Sequence, residues 1–290
     1  MAAEPLTIID AHIHYSAIDL FVDTARRVSH VDYSRWGLEA EMDDSGITAA
    51  VGMGLMETTR GGFPDPCAEN PMALDLAPLP ANLFCCLGIN PQPLTEPDGV
   101  IYQARIEERL QDSSVVGLKL YPGYYPYPAS HEVYDRVFGL ARDWQLPVVI
   151  HAGDTASPRA ILRLAHPLYI SDLAVRYPEV TMVIAHVGNP WVMDVAVMLT
   201  NHENIHADLS GLILGDATAI DDFVQNRRLM DSIQTGLDYS GRFDKLLFGT
   251  DWPLVPMRPY IQFVKRLVPE KYWPYVFSRT AQRVFPRLRV

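Results

Sequence analysis

Cysteine is scarce in this chain: Cys67, Cys85 and Cys86 are all it has. An odd, sparse count builds no disulfide framework and fits a reducing cytoplasm better than secretion. Cys85 and Cys86 are adjacent in an apolar run and read as buried small hydrophobes. No Cys-x-x-Cys pair occurs, so any metal has to be held by histidine and carboxylate. No apolar run approaches the roughly 20 residues of a membrane-spanning helix. The N-terminus shows no basic stretch leading into an apolar one, so no signal peptide is expected. Basic runs are also missing. Lys and Arg number 24 against 35 Asp and Glu, a net charge of −11, which argues against a nucleic-acid or anionic-membrane partner. An anionic small molecule stays compatible, because a bound metal and local cations outweigh a distant field. No Gly-rich phosphate loop follows the first apolar run, no short-period repeat is visible, and no shift in composition marks a linker.

What is present is a regular alternation. Apolar, β-branched runs at 6–12, 47–53, 83–89, 115–121, 147–151, 180–186, 204–209 and 245–251 are separated by helical patterns. Several runs are apolar throughout, as expected of parallel strands covered on both faces. Helices are expected over 99–112, 130–145 with Ser130 at its cap, 157–177 opening on Ser157-Pro158, 217–236 and 271–285. Eight strands alternating with helices over 290 residues point to one (β/α)₈ TIM barrel spanning the whole chain, with a doubly wound open sheet as the competitor. The Pro-, Gly- and Asn-rich stretch 56–82 is long for a βα connection and reads as a loop over the C-terminal face, either substrate-covering or decorative.

Four of these strands end in a potential ligand. The first ends in Asp10-Ala11-His12-Ile13-His14, and residues two apart on a strand share a face, so both imidazoles can serve one ion. The fifth ends Val148-Val149-Ile150-His151, the sixth Val183-Ile184-Ala185-His186, and the eighth Phe248-Gly249-Thr250-Asp251. Each polar residue closes an apolar run and precedes a turn signal, which in a barrel puts all of them on the C-terminal rim, where active sites are built. Taken singly, each is equally well a strand-end cap; together they point to a metal site.

In that arrangement the chain resembles the amidohydrolase superfamily. The local wording D-A-H-I-H, P-V-V-I-H-A-G, V-I-A-H-V-G and L-L-F-G-T-D-W-P is similar to the amidohydrolase-related branch, which includes the aminocarboxymuconate-semialdehyde decarboxylase-like enzymes. The ending Arg279-Thr280-Ala281-Gln282-Arg283-Val284-Phe285 resembles that branch's last helix, with Thr280-Ala281 in place of Asn-Ala. The resemblance covers essentially the whole chain. It implies one divalent metal ion held by His12, His14, His151 and Asp251, with His186 beside it, and a homodimer. Zinc is the first expectation for three imidazoles and a carboxylate, and manganese and iron are compatible. Lys119, near the end of the fourth strand, stands where some members of the superfamily carry a metal-bridging carbamylated lysine; in a mononuclear branch it is expected to be an uncommitted polar wall residue.

Such a site has two chemistries open to it. Metal binding brings a water's pKa from about 15.7 toward roughly 7, Asp251 can accept a proton, and His186 can polarise a carbonyl or shuttle the proton to a leaving group. That makes a hydrolase of an amide, lactam, lactone or ester. The same parts can protonate a carbon next to a carboxylate, giving a cofactor-free decarboxylase of an aromatic or unsaturated acid. The loop after the fourth strand, with Tyr121 and Tyr124, suits a flat or cyclic substrate. Trp252 is placed similarly, and Arg60 and Arg159 are candidates to pair with a substrate carboxylate. His30, His131 and His166 read as exposed, and His206 as structural.

Overall fold

The computed structural model describes residues 6–16, 18–54, 79–95, 99–157 and 159–289. Eight parallel strands run in sequence order, β1 (Ile8–Ile13), β2 (Ile47–Met53), β3 (Leu83–Gly88), β4 (Val115–Leu120), β5 (Val148–Ile150), β6 (Met182–Ile184), β7 (Ile205–Asp208) and β8 (Leu246–Leu247). The backbone bonds Ala11 N–H to Phe248 O (2.9 Å) and Asp251 N–H to His12 O (2.8 Å) bring β8 back to β1. The result is a (β/α)₈ barrel in a single domain, and all eight expected strands are present, most of them shortened at the ends.

Helices clothe the outside. α1 (Asp19–Thr24) and α2 (Arg35–Ser45) follow β1, α3 (Gly99–Leu110) follows β3, and α4 (Asp135–Asp143) follows β4. Next come α5 (Leu168–Arg176), α6 (Val192–Asn201), α7 (Ala217–Gln225), α8 (Arg227–Ser240), α9 (Met257–Leu267) and α10 (Thr280–Val284). Four helix expectations change, one of them the 271–285 segment, which divides into a 3₁₀ turn at Glu270–Tyr272, a π-helical turn at Tyr275–Arg279 and α10. The 157–177 helix gives way to a 3₁₀ turn at Leu162–Ala165 and then α5, which begins at Leu168 after Pro167, so Ser157 caps no helix. The 130–145 segment is capped by His131, whose Nδ1 accepts from Val133 N–H at 3.1 Å, rather than by Ser130. The 217–236 segment breaks at Asn226 into α7 and α8. Most of the 56–82 loop, with Arg60 and Cys67, lies outside the described residues. Among the described residues no helix is long and apolar enough to cross a membrane.

Two packed layers result. Leu38, Phe138, Leu173 and Phe263 join the outer layer between helices and sheet. Ile9, Val51, Cys86, Val149, Val183 and Leu247 fill the barrel, together with Val284 and Phe285 of the C-terminal segment. The other end is left for polar groups, and β1 shows how. Its register against β2 slips between Asp10 and Ile13. Ile9 and Ala11 pack inside the barrel, whereas Ile13 packs in the outer layer. This bulge exchanges the faces of the strand, and it turns His12 and His14 inward.

Candidate metal centre

The C-terminal end of the barrel encloses a cavity of about 460 Å³ lined by His12, His14, Lys119, His151, His186 and Asp251, with Phe21, Leu212 and Leu254 supplying apolar wall. Six strand-end expectations therefore meet in one place. Three of them, His12, His14 and Asp251, each offer a ligand atom within 4.8 Å of the others. His14 Nε2 lies 3.1 Å and His12 Nε2 3.5 Å from Asp251 Oδ1. His151 stands outside that set but close by, its ring centre 5.2 Å from that of His186.

The polar atoms here are short of partners. Among the described residues, His12 Nε2, His14 Nδ1, His151 Nε2 and Asp251 Oδ1 are all buried without a hydrogen bond. One such atom costs about 1–3 kcal/mol, and His12 Nε2 and His14 Nε2 gathered on Asp251 Oδ1 are the arrangement a cation would satisfy. Burial, reinforced by Lys119, pushes His12 down to about 4 against the pull of Asp208. Burial, with His186 and Lys119, holds His151 well below the ordinary histidine value. Burial alone would raise Asp251, but His14, His12 and His186 outweigh it and hold the carboxyl below its usual range. Neutral imidazoles and an ionised carboxylate are the protonation states that bind metal.

The support behind these groups was not read from the sequence. Asp208, at the end of β7, accepts from His12 Nδ1–H on Oδ2 at 2.8 Å, which fixes that ring with Nε2 toward the cavity. Its Oδ1 accepts from the backbone N–H of His186 and of Ser210 and from the Ser210 hydroxyl. Although Asp208, His12 and His186 also lie within 4.8 Å of one another, the oxygens of Asp208 are thus already engaged. Asp10 ties the rim together in the same way, accepting from Thr250 Oγ1–H at 2.6 Å and from the backbone N–H of Thr250 and His12. For Asp10 the signal is a carboxylate inside an otherwise apolar strand; Asp208 has no such signal, since β7 also holds His206. Asp208→Asn places an amide NH₂ or a weaker carbonyl acceptor opposite His12 Nδ1–H; metal affinity is expected to fall about 10–100-fold, measured by competition with a chelator, and an unchanged affinity would refute the orienting role.

His186 and Asp251 both sit just past a strand in left-handed backbone, at φ 59 and φ 64, a conformation that costs a side-chain-bearing residue about 1–2 kcal/mol. His186 is held by Asp208 at its N–H and by Ser210 at its ring: Nδ1 lies 3.1 Å from Ser210 O and 2.9 Å from Ser210 Oγ. Burial lowers its pKa against the opposing pull of Asp251 and Asp208.

The remaining candidates separate. Tyr121 and Tyr124 line the cavity, but the Tyr121 hydroxyl donates to Gly54 O and the Tyr124 hydroxyl accepts from Ala156 N–H, both at 2.9 Å. Their rings flank His151, Tyr121 stacked at 6.4 Å and Tyr124 edge-on at 5.0 Å. Trp252 lies outside the cavity lining; it is fully buried, tilted against Tyr33, with Nε1 donating to Glu41. It follows Asp251 in the chain, but its ring is drawn into the packing around Tyr33 and Glu41. Arg159 is exposed and does not line the cavity. Lys119 lines it and is fully buried; burial lowers its pKa to about 8 against the pull of Asp208 and Asp251.

A family model described as Amidohydrolase matches residues 9–287. No curated protein matches the sequence. Among solved structures, 5-carboxyvanillate decarboxylase LigW from Sphingomonas paucimobilis superposes with a TM-score of 0.63 at 16% identity, covering 97% of this chain and 99% of that one. A probable 2-pyrone-4,6-dicarboxylic acid hydrolase from Acinetobacter baumannii, with citric acid bound, gives 0.61 at 17% identity, covering 97% and 99%. A dihydroxybenzoic acid decarboxylase from a Polaromonas species, with bound manganese and an inhibitor, gives 0.66 at 14% identity, covering 99% and 98%. At these identities the likeness is one of fold.

Proposed function

The chain belongs to the amidohydrolase family of metal-dependent enzymes, and from that premise we propose that it is a hydrolase that cleaves a C–N or C–O bond of a small cyclic substrate. His12, His14, His151 and Asp251 would hold one divalent ion, with zinc the best match to three imidazoles and one carboxylate. Bound there, the ion supplies an electrophile for a substrate carbonyl and a lowered pKa for water. The protein's own residues do the rest.

The observation that carries hydrolysis over decarboxylation is the orientation of His186. A carbonyl oxygen only accepts, so the contact with Ser210 O requires the proton on Nδ1. Nε2 then carries the lone pair, and burial keeps the resting ring uncharged. A neutral imidazole with a free lone pair is a base. It can take a proton from the attacking water at Nε2 and return it to the departing nitrogen or oxygen. The imidazolium formed in between is stabilised through Ser210 by Asp208 and by Asp251 Oδ2, 3.9 Å from Nδ1. Decarboxylation asks for the opposite resting state, a proton already on Nε2 and ready for carbon. The cavity volume suits a one-ring substrate, and its apolar wall of Phe21, Leu212 and Leu254 suits the face of a ring.

Zinc-loaded protein offered lactones, amides and hydroxybenzoates is expected to release acid, with oxygen from labelled water in the product; CO₂ release without new acid would replace this reading by decarboxylation. His186→Ala should retain its metal and lose about 10²–10⁴ in kcat; loss of the metal would make His186 a ligand instead. The pH dependence follows from sign. The active form of His186 is neutral and its pKa is lowered below 6.5. Activity should therefore hold through neutral pH and fall only as pH drops below that lowered value. An acid limb centred above 6.5 in the kcat/KM profile would contradict it.

A further inference from the structure

Among the described residues, Lys119 is the buried cation in this cavity that the hydrolytic reading leaves without work. Its side chain is fully buried at the end of β4, and among the described residues Nζ has no hydrogen-bond partner. Among the described residues no carboxylate comes within ion-pair distance of it, whereas the other buried lysine, Lys245, donates to Leu199 O and His202 O and pairs with Glu203. The two nearby carboxylates are committed: Asp208 to His12, Ser210 and His186, and Asp251 to the His12–His14 cluster. What Nζ does meet is the Tyr121 ring, 5.1 Å from its centre. A ring face attracts a cation but accepts none of its three N–H groups in the way an oxygen does. A fully buried ammonium with its donors unmet is costly to keep. The cost makes sense if the partner arrives with the ligand.

We propose that Lys119 is the substrate's anion anchor: its ammonium receives a carboxylate of the cyclic substrate in the cavity it shares with His12, His14 and Asp251. The inference rests on the cavity being the substrate site. It deepens the reading above by placing the substrate's charge on a named residue. The flanking tyrosines serve this end. Tyr121 and Tyr124 bond to backbone atoms through their hydroxyls, so neither hydroxyl is held out toward Nζ as a substitute acceptor. Of the two arginines first expected to take a carboxylate, Arg60 lies outside the described residues and Arg159 lies outside the cavity, so among the described residues Lys119 is the lysine or arginine in its lining.

Calorimetry of the zinc-loaded protein with isophthalate and with its neutral counterpart isophthalamide tests this. The dianion should bind, and the amide should bind at least about 30-fold more weakly. Lys119→Met should weaken isophthalate by on the order of 100-fold, with zinc content and amide binding unchanged, and Lys119→Arg should keep part of the affinity. Without ligand, Lys119→Met should melt higher than the wild type, since an unpaired buried charge has gone, and isophthalate should raise the melting temperature of the wild type only. A merely structural lysine would give the reverse order of stability. Equal isophthalate affinity in wild type and Lys119→Met overturns the proposal, as does failure of the wild type to prefer the dianion. So does a carbamate on Lys119 seen by ¹³C NMR after labelling with bicarbonate, since the side chain would then be an anion. Binding is read without turnover, so loss of the anchor and loss of hydrolysis are told apart: a working Lys119 with CO₂ as the product removes the hydrolase reading alone.

Discussion

Asp251→Asn is expected to empty the metal site and lower kcat/KM by on the order of 10⁴. The substitution is close to a pure change of charge. Asparagine keeps the shape of aspartate and is one of the few side chains that tolerate left-handed backbone, so φ 64 at this position is not penalised. The backbone bond from residue 251 to His12 O, which helps close the barrel, is untouched. What goes is the only charged member of the candidate ligand set. His12, His14 and His151 then offer ring nitrogens alone, and the carboxylate 3.9 Å from His186 Nδ1 no longer steadies the imidazolium. General-base chemistry alone accounts for about 10²–10⁴, and loss of the ion adds to it. The fold should survive with some loss of stability, because His14, His12 and His186 hold the ionised carboxyl favourably while the backbone bonds of the site remain. Metal content after dialysis, kcat/KM and melting temperature together check this. Full metal occupancy with near wild-type turnover would remove Asp251 from the site.

The barrel and its rim were legible because both are written in local pattern. Runs such as Val148-Val149-Ile150 and Val183-Ile184 cannot be amphipathic helices, and a polar residue closing such a run has to lie at the strand's end. Nothing comparable marks Asp208. It shares β7 with His206, so the strand alternates and reads as half-buried; that its carboxylate reaches His12, 196 residues away in the chain, is a property of barrel closure and not of any window of sequence. Lys119 was visible, but its lack of a partner was not, because being unpaired is a fact about every neighbour at once. Trp252 shows the opposite error, in which closeness in sequence to Asp251 suggested closeness in the site, whereas its ring packs on Tyr33 and bonds Glu41. The Ser157-Pro158 start was sound helix grammar that tertiary structure overrode: Ile161 N–H bonds to Gly123 O, tying the segment to the rim loop after β4 before a helix forms.

Gly211→Ala should cost about 10²–10³ in kcat/KM through a single methyl group. Gly211 follows Ser210 on the loop after β7, with φ +62. A Cβ built there falls 2.5 Å from His186 Nδ1 and 2.8 Å from Asp251 Oδ2, well inside the roughly 3.5 Å at which a carbon rests against another heavy atom. Neither neighbour is a loose side-chain tip. The His186 ring is pinned by Ser210 O and Oγ, and Asp251 is clustered with His12 and His14. The methyl is accommodated only by moving the base, the carboxylate or the loop by about 1 Å, and displacement of that size costs on the order of 100-fold. Left-handed backbone adds about 1–2 kcal/mol for alanine, so stability should fall as well. The two effects can be separated within this chain. Gly46, which ends α2, has φ +71 and nothing within 4 Å of its built Cβ. Gly46→Ala therefore carries the backbone cost alone and should lower the melting temperature while leaving kcat/KM and its pH profile unchanged. If Gly211→Ala behaves like Gly46→Ala, losing stability but not turnover, then His186 and Asp251 are not held against Gly211 in the working enzyme, and the orientation of His186 that supports hydrolysis loses its footing.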